Sequence, residues 1–181
     1  MKDDIAEVFI GEAEIQDRVQ QLGAMISQDY AGRPPLLVGV LRGVLIFMAD
    51  LLRAIDIPVA VDFMAISRYA PTAQTGGVVR LIKDLEEPIE GRHVLFVEDI
   101  VDTGLTLSYL LRTLRGREPA SLEVCVLFDR PHHRLIDIDV AYTGFEIGDE
   151  FVVGYGLDYG QRYRNLPYVG ILKAEIYQSS Y

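Results

Sequence analysis

The apolar positions of this chain follow two rhythms in turn. Over 12–30, Ile15, Val19, Leu22 and Ile26 recur at alternating steps of four and three, the stripe of an amphipathic helix. Residues 36–40 are an unbroken apolar run of strand length, and Val44, Phe47, Met48, Leu51, Leu52 and Ile55 return to helical spacing directly behind it. A second strand is predicted over 59–66 and a buried one over 93–97. Leu107, Leu110, Leu111 and Leu114 then mark a helix over 105–115, and 122–128 is another apolar strand. Beyond Val140 the pattern breaks into short strand-like pieces around 151–154 and 168–172. Strand-turn-helix therefore occurs twice, which predicts an α/β fold with a mostly parallel sheet and helices on both faces. Ligands of such sheets bind beyond the carboxyl ends of the strands, so the residues after Val40 and Val97 are where chemistry is expected.

The polar stretch 67–77, with its Gly and Pro, is too long for a minimal turn and is read as a mobile or functional loop. No repeat or linker divides the chain, so one domain over 1–181 is expected. Half of the residues are hydrophobic, enough for a packed core. With 27 acidic against 17 basic side chains the net charge is −10, which disfavours a nucleic-acid or anionic-membrane partner but leaves room for a small anion in a local pocket. Cys125 is the only cysteine, so disulfides within the chain and Cys-rich zinc sites are excluded. The first residues lack the pattern of a signal peptide, and the greasiest stretch, 34–49, is too short and too charged at Arg42 to span a bilayer. These features predict a cytoplasmic protein without a membrane partner.

The most informative segment begins at Val94. A strand runs into the carboxylates Glu98, Asp99 and Asp102, and then into Thr103, Gly104, Leu105 and Thr106, where a helix begins. Free N–H groups at a helix start, two hydroxyls and a flexible Gly suit a phosphate monoester. Glu98 and Asp99 would repel that phosphate, and suit vicinal hydroxyls or a bridging Mg2+. The whole reads as a cradle for a ribose 5-phosphate. The plainer alternative is an ordinary helix cap at Asp102 or Thr103 with the other acids solvated.

Residues 98–106 resemble the phosphoribosyl pyrophosphate signature of the purine phosphoribosyltransferases, and the resemblance extends over about 36–177. It implies the type I phosphoribosyltransferase fold, a twisted sheet flanked by helices (about 12–145) with a small hood of short strands mainly over 146–181. It also implies that Glu98 and Asp99 contact the ribose hydroxyls directly or through Mg2+, that 102–106 hold the 5-phosphate, and that Asp102 is the general base near purine N7. The turn Leu41-Arg42-Gly43 is similar to the family's pyrophosphate loop, usually with Lys or Arg in the middle and a non-proline cis peptide before it, and Arg164 matches its pyrophosphate-contacting Arg. Arg130 stands where the family usually carries a Lys that donates to the purine 6-oxo group. Residues 150–159 resemble the second signature, which implies that Phe151 stacks on the purine, that the backbone of Val152 reads the base edge, and that Asp158 holds Mg2+ through water. The loop 67–79 corresponds to the family's closing loop, with Arg68-Tyr69 in place of the usual Ser-Tyr.

The adjacent His132 and His133 lack the spacing of metal ligands and are read as a solvated turn. Motifs for ATP hydrolysis or a serine hydrolase are missing from the sequence. The resemblance implies a Mg2+-dependent salvage transferase that takes hypoxanthine or guanine and 5-phosphoribosyl 1-pyrophosphate to IMP or GMP, and that forms a homodimer or homotetramer. A nucleotide-sensing regulator on the same fold and a xanthine-preferring transferase are the alternatives.

Overall fold

The computed structural model describes residues 1–68 and 79–178. After a single 3-10 turn, the elements are β1 (Ile5–Ile10), α1 (Glu12–Asp29), β2 (Leu36–Leu41), α2 (Leu45–Ala54), β3 (Ala60–Arg68), β4 (Val79–Lys83), β5 (His93–Val101), α3 (Leu105–Arg115) and β6 (Ser121–Asp129). A 3-10 turn at Pro131–His133 leads to β7 (Tyr142–Glu146), β8 (Val152–Val153), β9 (Val169–Leu172) and the short α4 (Ala174–Gln178).

Six strands form one sheet in the order β4-β3-β2-β5-β6-β7, parallel throughout except for the antiparallel β3-β4 pair. Side chains alternate across it, so β5 sends Leu95 and Val97 to one face and Val94 and Phe96 to the other. The first face is covered by α1 and α2 through Ile15, Val19, Leu22, Ile26, Phe47, Met48 and Leu51. The second is covered by α3 through Leu107, Leu110, Leu111 and Leu114, the same four leucines that the spacing marks. The chain passes from β2 to β3 on one side and reaches β5 on the other, so the strand order reverses between β2 and β5. That switch point is where a crevice opens in this architecture.

The third buried strand is longer than its apolar run suggests. Beyond Val97 the strand continues through Glu98 and Asp99 to Val101, because β6 still pairs with it as far as Val101 with Asp129. Its other neighbour, β2, is matched only to Gly39 with Val97 and then turns away through Arg42. Glu98 and Asp99 therefore belong to a strand, flanked on one side by a turn where a strand would otherwise lie.

A second, antiparallel sheet has the order β1-β9-β8. Its edge strand comes from the N-terminus, which the hydrophobic pattern does not predict, and it packs with Val153, Tyr163, Leu166 and Leu172 into a small core. Tyr155, just after β8, ties the small sheet to α2: its hydroxyl donates to Asp50 Oδ2 at 2.6 Å, and burial together with that carboxylate raises its pKa above the ordinary phenol value. β3 and β4 flank the expected closing loop, but Tyr69 and the rest of 69–78 lie outside the described residues, and of Arg68 only the backbone is described. Among the described residues no helix is long and apolar enough to cross a membrane.

Leu114 is fully buried beneath the sheet. Leu114→Ala is expected to cost about 2–5 kcal/mol through lost burial and the cavity left behind, read as a lower urea midpoint with an unchanged slope.

Candidate active site

At the switch point a cavity of about 500 Å³ lies between the two sheets, lined by Arg42 and Gly43 after β2, Glu98 and Asp99 from β5, Arg130 after β6, and Phe151, Val152, Asp158, Gln161 and Arg164 from the small sheet and its loops. A second cavity of about 250 Å³ adjoins it, shares Glu98, Ile100 and Arg130, and ends at Asp102, Thr103, Gly104 and Thr106. All of the sequence-predicted residues except Leu105 line one or both. Leu105 is the exposed first residue of α3, immediately behind the cradle.

The cradle depends on Gly104, which has φ +80° and precedes the helix; a Cβ there would lie 2.9 Å from the Ile138 side chain and 3.0 Å from the Ile136 carbonyl oxygen. The left-handed backbone and the close packing both favour glycine. No side chain caps α3, and Thr103 Oγ1 is 3.5 Å from the Leu105 N–H, a long contact. The first turn of the helix thus keeps N–H donors for an anion.

On the opposite side, the Leu41-Arg42 peptide is cis, as the resemblance implies. Arg42 Nη1 donates to Gln161 Oε1 at 3.0 Å, the Gln161 N–H donates to Asp158 Oδ2 at 2.8 Å, and Arg164 Nη2 lies 2.7 Å from Asp158 Oδ1. Arg164 Nη1 also donates to the Gly156 carbonyl at 2.6 Å. Two guanidinium groups are thereby fixed on one wall, a fitting receptor for a diphosphate. Gln161, which links them, carries no motif signal of its own.

Steric contact sets the floor. A Cβ on Gly43 would stand 1.8 Å from Asp99 Oδ2, and a Cβ on Gly156 would stand 2.2 Å from the Gly43 carbonyl oxygen. Another wall is built from Arg130, whose Nη2 donates to the Glu150 carbonyl and whose Nε is buried without a hydrogen-bond partner among the described residues. One face of Phe151 stacks on Tyr177 at 4.7 Å, and its ring still borders the cavity with 38% of the residue exposed.

His133 differs from the solvated turn expected of it. Its Nδ1 lies 2.7 Å from Asp102 Oδ1 and its Nε2 2.6 Å from Asp149 Oδ1, and these two carboxylates, Asp149 first, raise its pKa above the usual imidazole value. Cys125 is fully buried, and burial pushes its thiol well up, so it is no nucleophile.

Among the described residues no group of three or more His, Cys, Asp or Glu forms a ready metal cage. Glu98 and Asp99 instead offer a few hard oxygen donors beside an open cavity, which fits Mg2+, an ion that keeps waters and takes substrate oxygens. Both Asp158 oxygens already have partners, so a contact through water suits it better than direct ligation.

This arrangement defines a phosphoribosyl transfer fold, and the comparisons agree. The phosphoribosyl transferase domain family matches residues 11–160. A hypoxanthine-guanine phosphoribosyltransferase of Bacillus subtilis is 50% identical over 99% of both chains, and one of Streptococcus agalactiae is 50% identical over 98% of both. The crystal structure of a hypoxanthine phosphoribosyltransferase from Staphylococcus aureus superposes with a TM-score of 0.93 at 46% identity, covering 98% of this chain and 96% of that one. The chain belongs to the phosphoribosyl transferase family, in its hypoxanthine-guanine branch.

Gly43→Ala must displace the Asp99 carboxylate. It is expected to weaken binding of 5-phosphoribosyl 1-pyrophosphate in the presence of Mg2+ by about tenfold or more, measured by calorimetry, with the unfolding midpoint as a control for folding.

Proposed function

We propose that the chain transfers the 5-phosphoribosyl group of 5-phosphoribosyl 1-pyrophosphate to hypoxanthine or guanine, giving IMP or GMP and pyrophosphate, with Asp102 as general base and Mg2+ required. The observation that carries this reading is the pair of adjoining cavities. They offer three subsites in the order the substrates need: a phosphate cradle at 103–106, a carboxylate floor at Glu98 and Asp99, and a space bounded by Arg42 and Arg164 on one wall and by Arg130 and Phe151 on another.

The 5-phosphate is taken by the backbone N–H groups and hydroxyls of Thr103, Gly104, Leu105 and Thr106, and Glu98 and Asp99 accept hydrogen bonds from the ribose hydroxyls. Arg42, Gly43 and Arg164 receive the pyrophosphate. The bond from ribose C1 to a pyrophosphate oxygen breaks as a purine nitrogen bonds to C1, and the proton that the purine loses passes to the Asp102 carboxylate. Glu98 and Asp99, with Asp158 through water, would hold Mg2+, which would supply positive charge against the polyanionic substrate. Phe151 stacks on the base and the Val152 backbone meets its edge. Arg130 donates to the 6-oxo group, so adenine would set its 6-amino donor against another donor. Loop 67–79 is read as the closing segment.

Cytoplasmic residence and assembly into a homodimer or homotetramer complete the reading. Exposed apolar side chains such as Val61 and Ile82 are available to an interface, and light scattering of the purified chain tests the assembly.

Two outcomes are expected. Pyrophosphate release should be Mg2+-dependent and fast with hypoxanthine and guanine, and slow with adenine; failure with every base, xanthine included, contradicts an enzymatic role. Asp102→Asn should lower kcat by about 10²–10⁴-fold while leaving KM for 5-phosphoribosyl 1-pyrophosphate nearly unchanged, and wild-type turnover by that variant would exclude Asp102 as the base.

A further inference from the structure

Asp102 follows β5 and His133 follows β6, and the backbone fixes them against each other. The Arg130 N–H donates to the Val101 carbonyl at 3.0 Å, and the Leu135 and Ile136 N–H groups donate to the Thr103 carbonyl at 3.0 and 3.4 Å. The turn carrying His133 is therefore tied on both sides of Asp102. An ion pair between Arg134 and Asp129, nearly buried on both sides, holds the base of the same turn.

His133 contacts only one oxygen of the Asp102 carboxylate, Oδ1, and among the described residues no other side-chain hydrogen bond reaches Asp102. The second oxygen is left as an acceptor at the edge of the smaller cavity, where Asp102 is a lining residue. An imidazole that meets a carboxylate at each nitrogen needs a proton on both, so the bridge to Asp149 favours the imidazolium and orients the ring. Free rotation of an exposed carboxylate would otherwise spread its acceptor over many directions, and proton transfer requires one of them.

We propose that His133 is a positioning residue for the transfer: anchored by Asp149, it holds Asp102 by one oxygen and so aims the other at the purine. This rests on the reading of Asp102 as the base and adds a residue that the motifs do not mark. His133 does not touch the substrate; it acts through Asp102 alone.

The test is a double-mutant cycle on the full chain, with kcat and KM measured for each variant and thermal unfolding as the folding control. His133→Ala is expected to lower kcat about tenfold or more with KM for 5-phosphoribosyl 1-pyrophosphate essentially unchanged, and His133→Gln, which keeps an N–H donor for Asp102, should recover part of the loss. In the Asp102→Asn background, His133→Ala should have no further effect, because residues acting as a unit are not additive. If Asp102→Asn lowers kcat while His133→Ala and His133→Gln leave it unchanged or raise it, the positioning role is overturned and the base stands. Equal losses from His133→Ala in both backgrounds also overturn it, since His133 would then act independently of Asp102. If Asp102→Asn turns over like the wild type, the base reading fails first and this inference fails with it.

Discussion

Three segments of the chain meet where two glycines leave no room for a side chain of their own. Gly43 lies against the Asp99 carboxylate, and Gly156 lies against the Gly43 carbonyl, with 1.8 and 2.2 Å separating the respective glycine Cβ positions from those oxygens. Through this stack the end of β5, the turn after β2 and the loop of the small sheet fix one another's positions. The cleft has its shape because the β2 turn is held between the floor and the hood. Tyr155 reinforces the arrangement from behind by tying the small sheet to Asp50 on α2.

Charge follows from this geometry. The chain carries a net −10, yet three guanidinium groups, of Arg42, Arg130 and Arg164, border the cleft beside Glu98, Asp99 and Asp158. On one wall Arg164 is paired with Asp158 and linked to Arg42 through Gln161, while Glu98 and Asp99 occupy the floor. A polyanion can bind such a site at its cationic wall and helix N-terminus, and a divalent cation would offset the floor. The overall acidity argues against a broad nucleic-acid surface and leaves this local selectivity intact.

Much of this was legible in the residues. The four leucines of α3 mark both its limits and its buried face, and the run from Glu98 to Thr106 marks the cradle because so many carboxylates and hydroxyls at a strand end have no role in packing. Strand β1 was not legible, since its exposed middle shows no clean alternation and its pairing with β9 spans nearly the whole chain. β4 carries Arg80 and Lys83, as an edge strand does, and the apolar pattern assigns it no element. The extension of β5 through two acids comes from the pairing with β6, not from the apolar pattern. His133 was misread because nothing in the spacing of adjacent histidines reveals a contact made by the Leu135 N–H to Thr103 hydrogen bond and its neighbours.

In the proposed function one cleft orders phosphate, ribose and base from the α3 N-terminus to the Arg130 wall. A crystal structure of the chain with IMP tests it most directly. Phosphate oxygens are expected within about 3 Å of the N–H groups of 103–106, and the 6-oxo group within about 3 Å of Arg130. A phosphate seated instead against Arg42 and Arg164, or a base away from Phe151, would contradict it.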